Sequence, residues 1–109
     1  MAIVNIDPNT YEMMIVELTL QSLEPLIRID LRFAGCCDPF LGLWADEVKP
    51  GDLVHQVGDL TFIIESDIFD MVGEVTIAYS EKPWEKGFVL TSQHPTSEWE
   101  GTGVCSIRK

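Results

Sequence analysis

Basic residues are scarce in this chain, and long apolar runs are missing. Its 109 residues hold seven lysines and arginines against eighteen aspartates and glutamates, a net charge of −11. A field of that sign repels phosphate backbones and anionic lipid surfaces. The bases do not cluster either: Arg28 and Arg32 share one alternating segment, and Arg108-Lys109 end the chain. Nucleic acid is therefore not an expected ligand. No apolar stretch approaches the roughly 20 residues that span a bilayer, so no membrane is expected as a partner. The start, Met1-Ala2-Ile3-Val4-Asn5-Ile6-Asp7, lacks the basic and apolar segments of a secretion signal, which makes the cytoplasm the expected location. Internal repeats and low-complexity segments are absent as well.

Cysteines are few and odd in number: Cys36, Cys37 and Cys105. Three thiols cannot pair completely within one chain. Consecutive Cα atoms lie about 3.8 Å apart, below the roughly 4.4–6.8 Å of ordinary disulfides, so a Cys36–Cys37 bridge is strained and easily reduced. An odd count without an export signal points to a reducing compartment and to free or metal-bound thiols.

What the chain does have is a core. Apolar residues make up 46% of it, too many for a disordered tail, and the length suits one domain over residues 1–109, with a tail from about 92 to 109 carrying Cys105. Asp7-Pro8-Asn9 reads as a helix entrance, an Asx cap followed by proline in the first turn. Tyr11, Met14, Ile15, Leu18 and Ser22 follow at helical spacing, which predicts a helix over Pro8–Leu23. The rival is a strand, since Val16, Leu18 and Leu20 alternate with polar residues; Pro25 ends either element.

Leu26–Phe33 alternates Ile27, Ile29, Leu31 and Phe33 with Arg28, Asp30 and Arg32, the pattern of a strand with one buried and one wet face. Ala34-Gly35 breaks it before Cys36-Cys37-Asp38-Pro39. A second apolar run holds Phe40, Leu41, Leu43 and Trp44, and Lys49-Pro50-Gly51-Asp52 is a turn by composition. Leu53–Val57 and Leu60–Ile64 flank Gly58-Asp59, a hairpin signal. Ser66-Asp67 can cap a helical turn closed by Gly73. Val75, Ile77 and Tyr79 lie in another strand, and Gly87–Leu90 is the last; beyond Thr91 the chain turns polar and loop-like until Cys105. The expected class is mainly β (α+β): a sandwich or small irregular barrel of short strands with one N-terminal helix, and the cysteines in two loops.

The order of these parts resembles the HesB-like or IscA-like family, the A-type carriers of iron–sulfur cluster assembly. The resemblance rests on Ile27–Leu31, Gly35-Cys36, Gly42-Leu43, Gly51-Asp52, Leu60–Ile64, Gly73–Tyr79 and Gly87-Phe88 in succession, and covers about Leu26 to Leu90. It implies a pseudobarrel fold and an iron or iron–sulfur cluster bound by cysteines. It also implies assembly or recipient proteins as partners, and a carrier in place of an enzyme. Cys36 matches the first family cysteine, after Gly35 and six residues before Gly42. The family tail reads Cys-Gly-Cys; here Gly103-Val104-Cys105-Ser106 keeps one thiol, Cys105. Cys37 stands where the family commonly has serine.

Thiolates suit iron clusters because sulfur is soft, and a bound metal supplies the charge that removes the thiol proton. One chain offers three thiols where a cluster usually takes four. The shortfall leaves two routes: a symmetric dimer pooling ligands, or a non-cysteine ligand such as His94, which precedes Pro95 near Glu98 and Glu100. His55 reads as a surface or internally satisfied histidine. Trp44, Trp84 and Trp99 read as core or interface residues, Trp99 being the best placed to dock a partner or cover the thiols. Asp67 and Asp70 read as a solvated face. Two rivals use the same chain: a thiol redox protein in which Cys105 resolves Cys36 or Cys37, and a non-catalytic interaction module.

Overall fold

The structure is a computed structural model that describes residues 3–33, 39–83, 85–94 and 105–108. A short strand β1 (Val4–Ile6) precedes helix α1 (Pro8–Leu20). Strands β2 (Leu26–Phe33), β3 (Pro39–Ala45), β4 (Asp52–Val57) and β5 (Leu60–Glu65) follow. Helix α2 (Ser66–Val72) leads to β6 (Val75–Lys82), β7 (Glu85–Ser92) and β8 (Ile107–Arg108). The strands form two mixed sheets, one ordered β1-β6-β7 and the other β4-β5-β2-β3-β8. This is an α+β fold, and no described helix is long and apolar enough to cross a membrane.

Helix α1 starts where the sequence indicates. Asp7 accepts from the Thr10 backbone N–H at 2.7 Å, and Pro8 sets the first turn. Thr10, Met14 and Leu18, four residues apart on one face, are buried, while Val16 and Leu20 face outward. Period 3.6 therefore won over the alternating reading. The helix ends at Leu20, three residues short of the expected Leu23. There Ser22 turns left-handed (φ 56°) and the Leu23 N–H donates to the Leu18 carbonyl, a Schellman-type stop that precedes Pro25.

One buried cluster joins both sheets to the helices. It takes Ile27, Ile29, Leu43, Leu60, Phe62 and Ile64 from the larger sheet, and Val75, Ile77, Phe88 and Leu90 from the smaller. Met14 and Leu18 of α1, Phe69 and Val72 of α2, Ile107 of the tail, and Ile3, Val4 and Leu41 complete it. The Gly58-Asp59 hairpin forms as expected, with Val57 facing Leu60 and Gly58 at φ 57°, the first central position of a II′-like turn.

Four local expectations need correction. Strand β1 was not foreseen; three residues are too few for a readable period, and it is held by parallel pairing of Val4 with Val75. Helix α2 has no side-chain cap: Glu65 is its N-cap residue and Ser66 already lies in the helix. Strand β7 extends beyond Gly87–Leu90 at both ends, carried by its register with β6. Arg28, expected on a wet face, is buried at 7% exposure, because loop 46–50 brings acids over that face.

Candidate thiol site

Cys105 was expected in an open loop, and the structure instead locks it into backbone pairing. The Phe88 N–H donates to the Cys105 carbonyl and the Cys105 N–H to the Phe88 carbonyl, both at 2.8 Å. Two residues later Ile107 lies beside Leu43 and Arg108 beside Trp44, parallel to β3. The tail thus crosses from the smaller sheet to the edge of the larger one within residues 105–108. Ile107, 1% exposed, plugs into the common core there. Gln21, at the end of α1, donates its side-chain amide to the Ile107 carbonyl at 3.0 Å and to the Glu17 carboxylate at 2.9 Å.

The thiol of Cys105 is half-buried and donates to the Phe88 carbonyl at 3.4 Å. Burial pushes it up to about 11, against smaller opposing pulls from the Arg108 charge and the Leu43 backbone N–H. It is therefore a neutral donor near pH 7. A thiolate there would face the carbonyl dipole it now bonds, so ionisation needs a cation close by.

Cys36 and Cys37 lie in segment 34–38, outside the described residues, as do Trp84, Trp99 and the tail stretch 95–104. The ends of segment 34–38 are fixed: Phe33 and Pro39 face each other at the tip of the β2–β3 pair. Because β8 runs parallel to β3, the chain before Ile107 heads toward Pro39. Cys105 itself lies two residues earlier, its thiol beside the Leu43 backbone N–H.

The histidines stand elsewhere. His94 is exposed beyond the end of β7, six residues past Phe88, roughly 15–20 Å along the strand direction from Cys105. Its backbone N–H donates to the Val72 carbonyl. His55 is on β4, at the opposite edge of the larger sheet from β8 and four strand spacings away, roughly 19 Å. Its Nδ1 accepts from the Ile3 N–H at 3.2 Å, as an internally satisfied histidine does. Asp67 and Asp70 are exposed. Trp44 is half-buried on β3, its indole lying over Gly42, where a Cβ would collide with it. Among the described residues no three of His, Cys, Asp and Glu gather as a metal site.

The strongest electrostatic cluster was not legible in the sequence. Arg28 holds Asp46 through Nε at 2.6 Å and Asp52 through Nη1 and Nη2 at 2.9 and 2.6 Å, and donates to the Glu47 carbonyl at 3.0 Å. Asp52 lies well below the usual carboxylate range, chiefly through Arg28; Asp46 is lowered first by the Glu47 backbone N–H and then by Arg28. A polar cleft of about 480 Å³ lies alongside, lined also by Asp30, Lys49, Glu65 and Asp67. All three guanidinium nitrogens bond within the protein, so the cluster ties β2 to loop 46–50 and β4. Only the return of that loop over β2 creates it.

No protein-family model and no curated protein sequence matches this chain. Solved structures do. A crystal structure of IscA with a 2Fe–2S cluster superposes with a TM-score of 0.71 at 20% identity, covering 83% of this chain and 85% of that one. Escherichia coli SufA, involved in biosynthesis of iron–sulfur clusters, gives 0.68 at 12% identity over 89% and 84%. A protein from Aquifex aeolicus, solved by NMR in solution, gives 0.61 at 21% identity over 86% and 93%. At such identities the likeness is one of architecture: the chain has the IscA-like, or HesB-like, α+β fold that the order of its motifs resembles.

Proposed function

We propose that this chain binds and carries iron or an iron–sulfur cluster as its cargo, through Cys105 together with Cys36 and Cys37. The observation that carries the reading is the seating of Cys105. In a fold shared with a protein crystallised with a 2Fe–2S cluster, the tail thiol is anchored by backbone pairing with Phe88, two residues before a strand that lies beside β3, the strand following the two other cysteines. Binding replaces the thiol proton with the metal, so the Cys105 bond to the Phe88 carbonyl is given up and a proton is released. Three thiols per chain leave the usual four short, which favours a dimer pooling ligands across a two-fold axis. Cargo transfer to recipient proteins, and no turnover chemistry, follows from such a site.

The thiol redox alternative is less well supported. A resolving cysteine attacks as thiolate, and Cys105 ionises well above neutral pH.

Anaerobic reconstitution with iron and sulfide, followed by visible absorption and iron analysis, tests the proposal. The wild-type chain should colour and retain iron, and Cys105→Ser and the double variant Cys36→Ser/Cys37→Ser should each lose most of it. Colourless, iron-free wild-type protein would sink the reading. A reversible Cys36–Cys105 or Cys37–Cys105 bridge in mass spectra would replace it with redox chemistry.

A further inference from the structure

The Gln21 side chain spans 86 residues of sequence to reach the tail. Its Nε2 carries two hydrogens, and both are used: one on the Glu17 carboxylate, one on the Ile107 carbonyl. Both partners only accept, so the amide nitrogen must be the atom that faces them. The helix itself does not require this side chain. The Gln21 backbone N–H already closes the last turn on the Glu17 carbonyl, and a surface Glu17–Gln21 pair adds only a few tenths of a kcal/mol to a helix. What the amide does uniquely is hold strand β8.

Besides that amide, the strand is held by its pairing with Leu43 and Trp44 and by the buried Ile107 side chain. It is nonetheless only two residues long, it forms the edge of its sheet, and it follows an isolated Phe88–Cys105 bridge. Short edge elements near a chain end fray first. With Ile107 released, the Phe88–Cys105 pairing loses its support on the tail side and opens more often, and the thiol loses burial and fixed direction.

We infer that Gln21 is a positioning residue for the Cys105 thiol: through the Ile107 carbonyl it clamps the tail and so sets where that thiol sits. The inference gives the proposed cluster site a helix-borne support, and in that sense rests on that reading. The clamp itself is tested without iron.

The test uses the full chain with Cys36→Ser and Cys37→Ser, so that Cys105 alone reacts. Alkylation by iodoacetamide at fixed pH is followed by mass spectrometry, comparing Gln21 with Gln21→Leu, which keeps bulk without donors, and Gln21→Lys, which keeps donors. Gln21→Leu should speed labelling on the order of five-fold, the factor carried by one ordinary hydrogen bond. Gln21→Lys should label at the parent rate. Hydrogen exchange separates release of the tail from general loosening: the Phe88 and Cys105 amides should quicken in Gln21→Leu while those of Ile27 and Ile64 do not. Parent-like labelling in Gln21→Leu, equal acceleration in Gln21→Lys, or uniform quickening of all four amides would each overturn the inference. Because no metal enters, failure of iron binding in the wild type would leave this result standing.

Discussion

Cys105 and Phe88 exchange both of their backbone hydrogen bonds and, in addition, the Cys105 thiol donates to the Phe88 carbonyl. The tail cysteine is thereby part of a sheet, and the atom that would ligate iron is first a hydrogen-bond donor to the chain.

That arrangement fixes a pH dependence. The folded thiol ionises near 11, above the ordinary value of 9.0. Between those values the unfolded chain has already lost the proton that the folded chain keeps, so stability present below pH 9 declines as pH rises through 11. In the Cys36→Ser/Cys37→Ser background, alkylation of Cys105 should climb with a midpoint near 11, and a midpoint near that of a free thiol would contradict the seating described.

Arg28 should be the least replaceable surface-face residue of β2. Arg28→Ala leaves Asp52, whose side chain is 3% exposed, with an unpaired charge, a class of change that costs about 3 kcal/mol or more. Arg28→Lys should recover only part, since an ammonium cannot span Asp52 and Asp46 as the planar fork does. Both carboxylates ionise below their ordinary value of 3.8, so their contribution is complete above that pH and is lost as pH falls through their lowered values. Denaturant titrations of wild type and Arg28→Ala should therefore converge on acidification; a gap that stays constant would argue against the ion pairs as its source.

Gly58 is required twice over. Its φ of 57° suits glycine, and a Cβ there would lie 2.6 Å from the Tyr11 hydroxyl, which accepts from the Asp59 N–H. Gly58→Ala should destabilise by roughly 1–2 kcal/mol, the scale of a left-handed alanine. Adding Tyr11→Phe should remove part of that loss, a non-additivity readable in a double-mutant cycle. Full additivity would mean that helix and turn do not touch.

Local rules reached most of the elements. The Asp7-Pro8 entrance, the alternation of Ile27, Ile29 and Leu31, the Gly58-Asp59 turn and the closing Gly73 each follow from backbone sterics or side-chain period, which neighbours in sequence already specify. β1 and β8 were not legible, because two- and three-residue strands exist only through their partners Val75–Ile77 and Leu43-Trp44.

The sequence by itself determined the chemistry on offer: three thiols, a net charge of −11, and an order of motifs shared with one family of folds. Tertiary structure alone decided what becomes of Cys105 and Arg28. A thiol's acidity and a guanidinium's partners depend on which distant groups exclude water from them. Phe88, Leu43, Asp46 and Asp52 take up those places only once both sheets have closed on a common core.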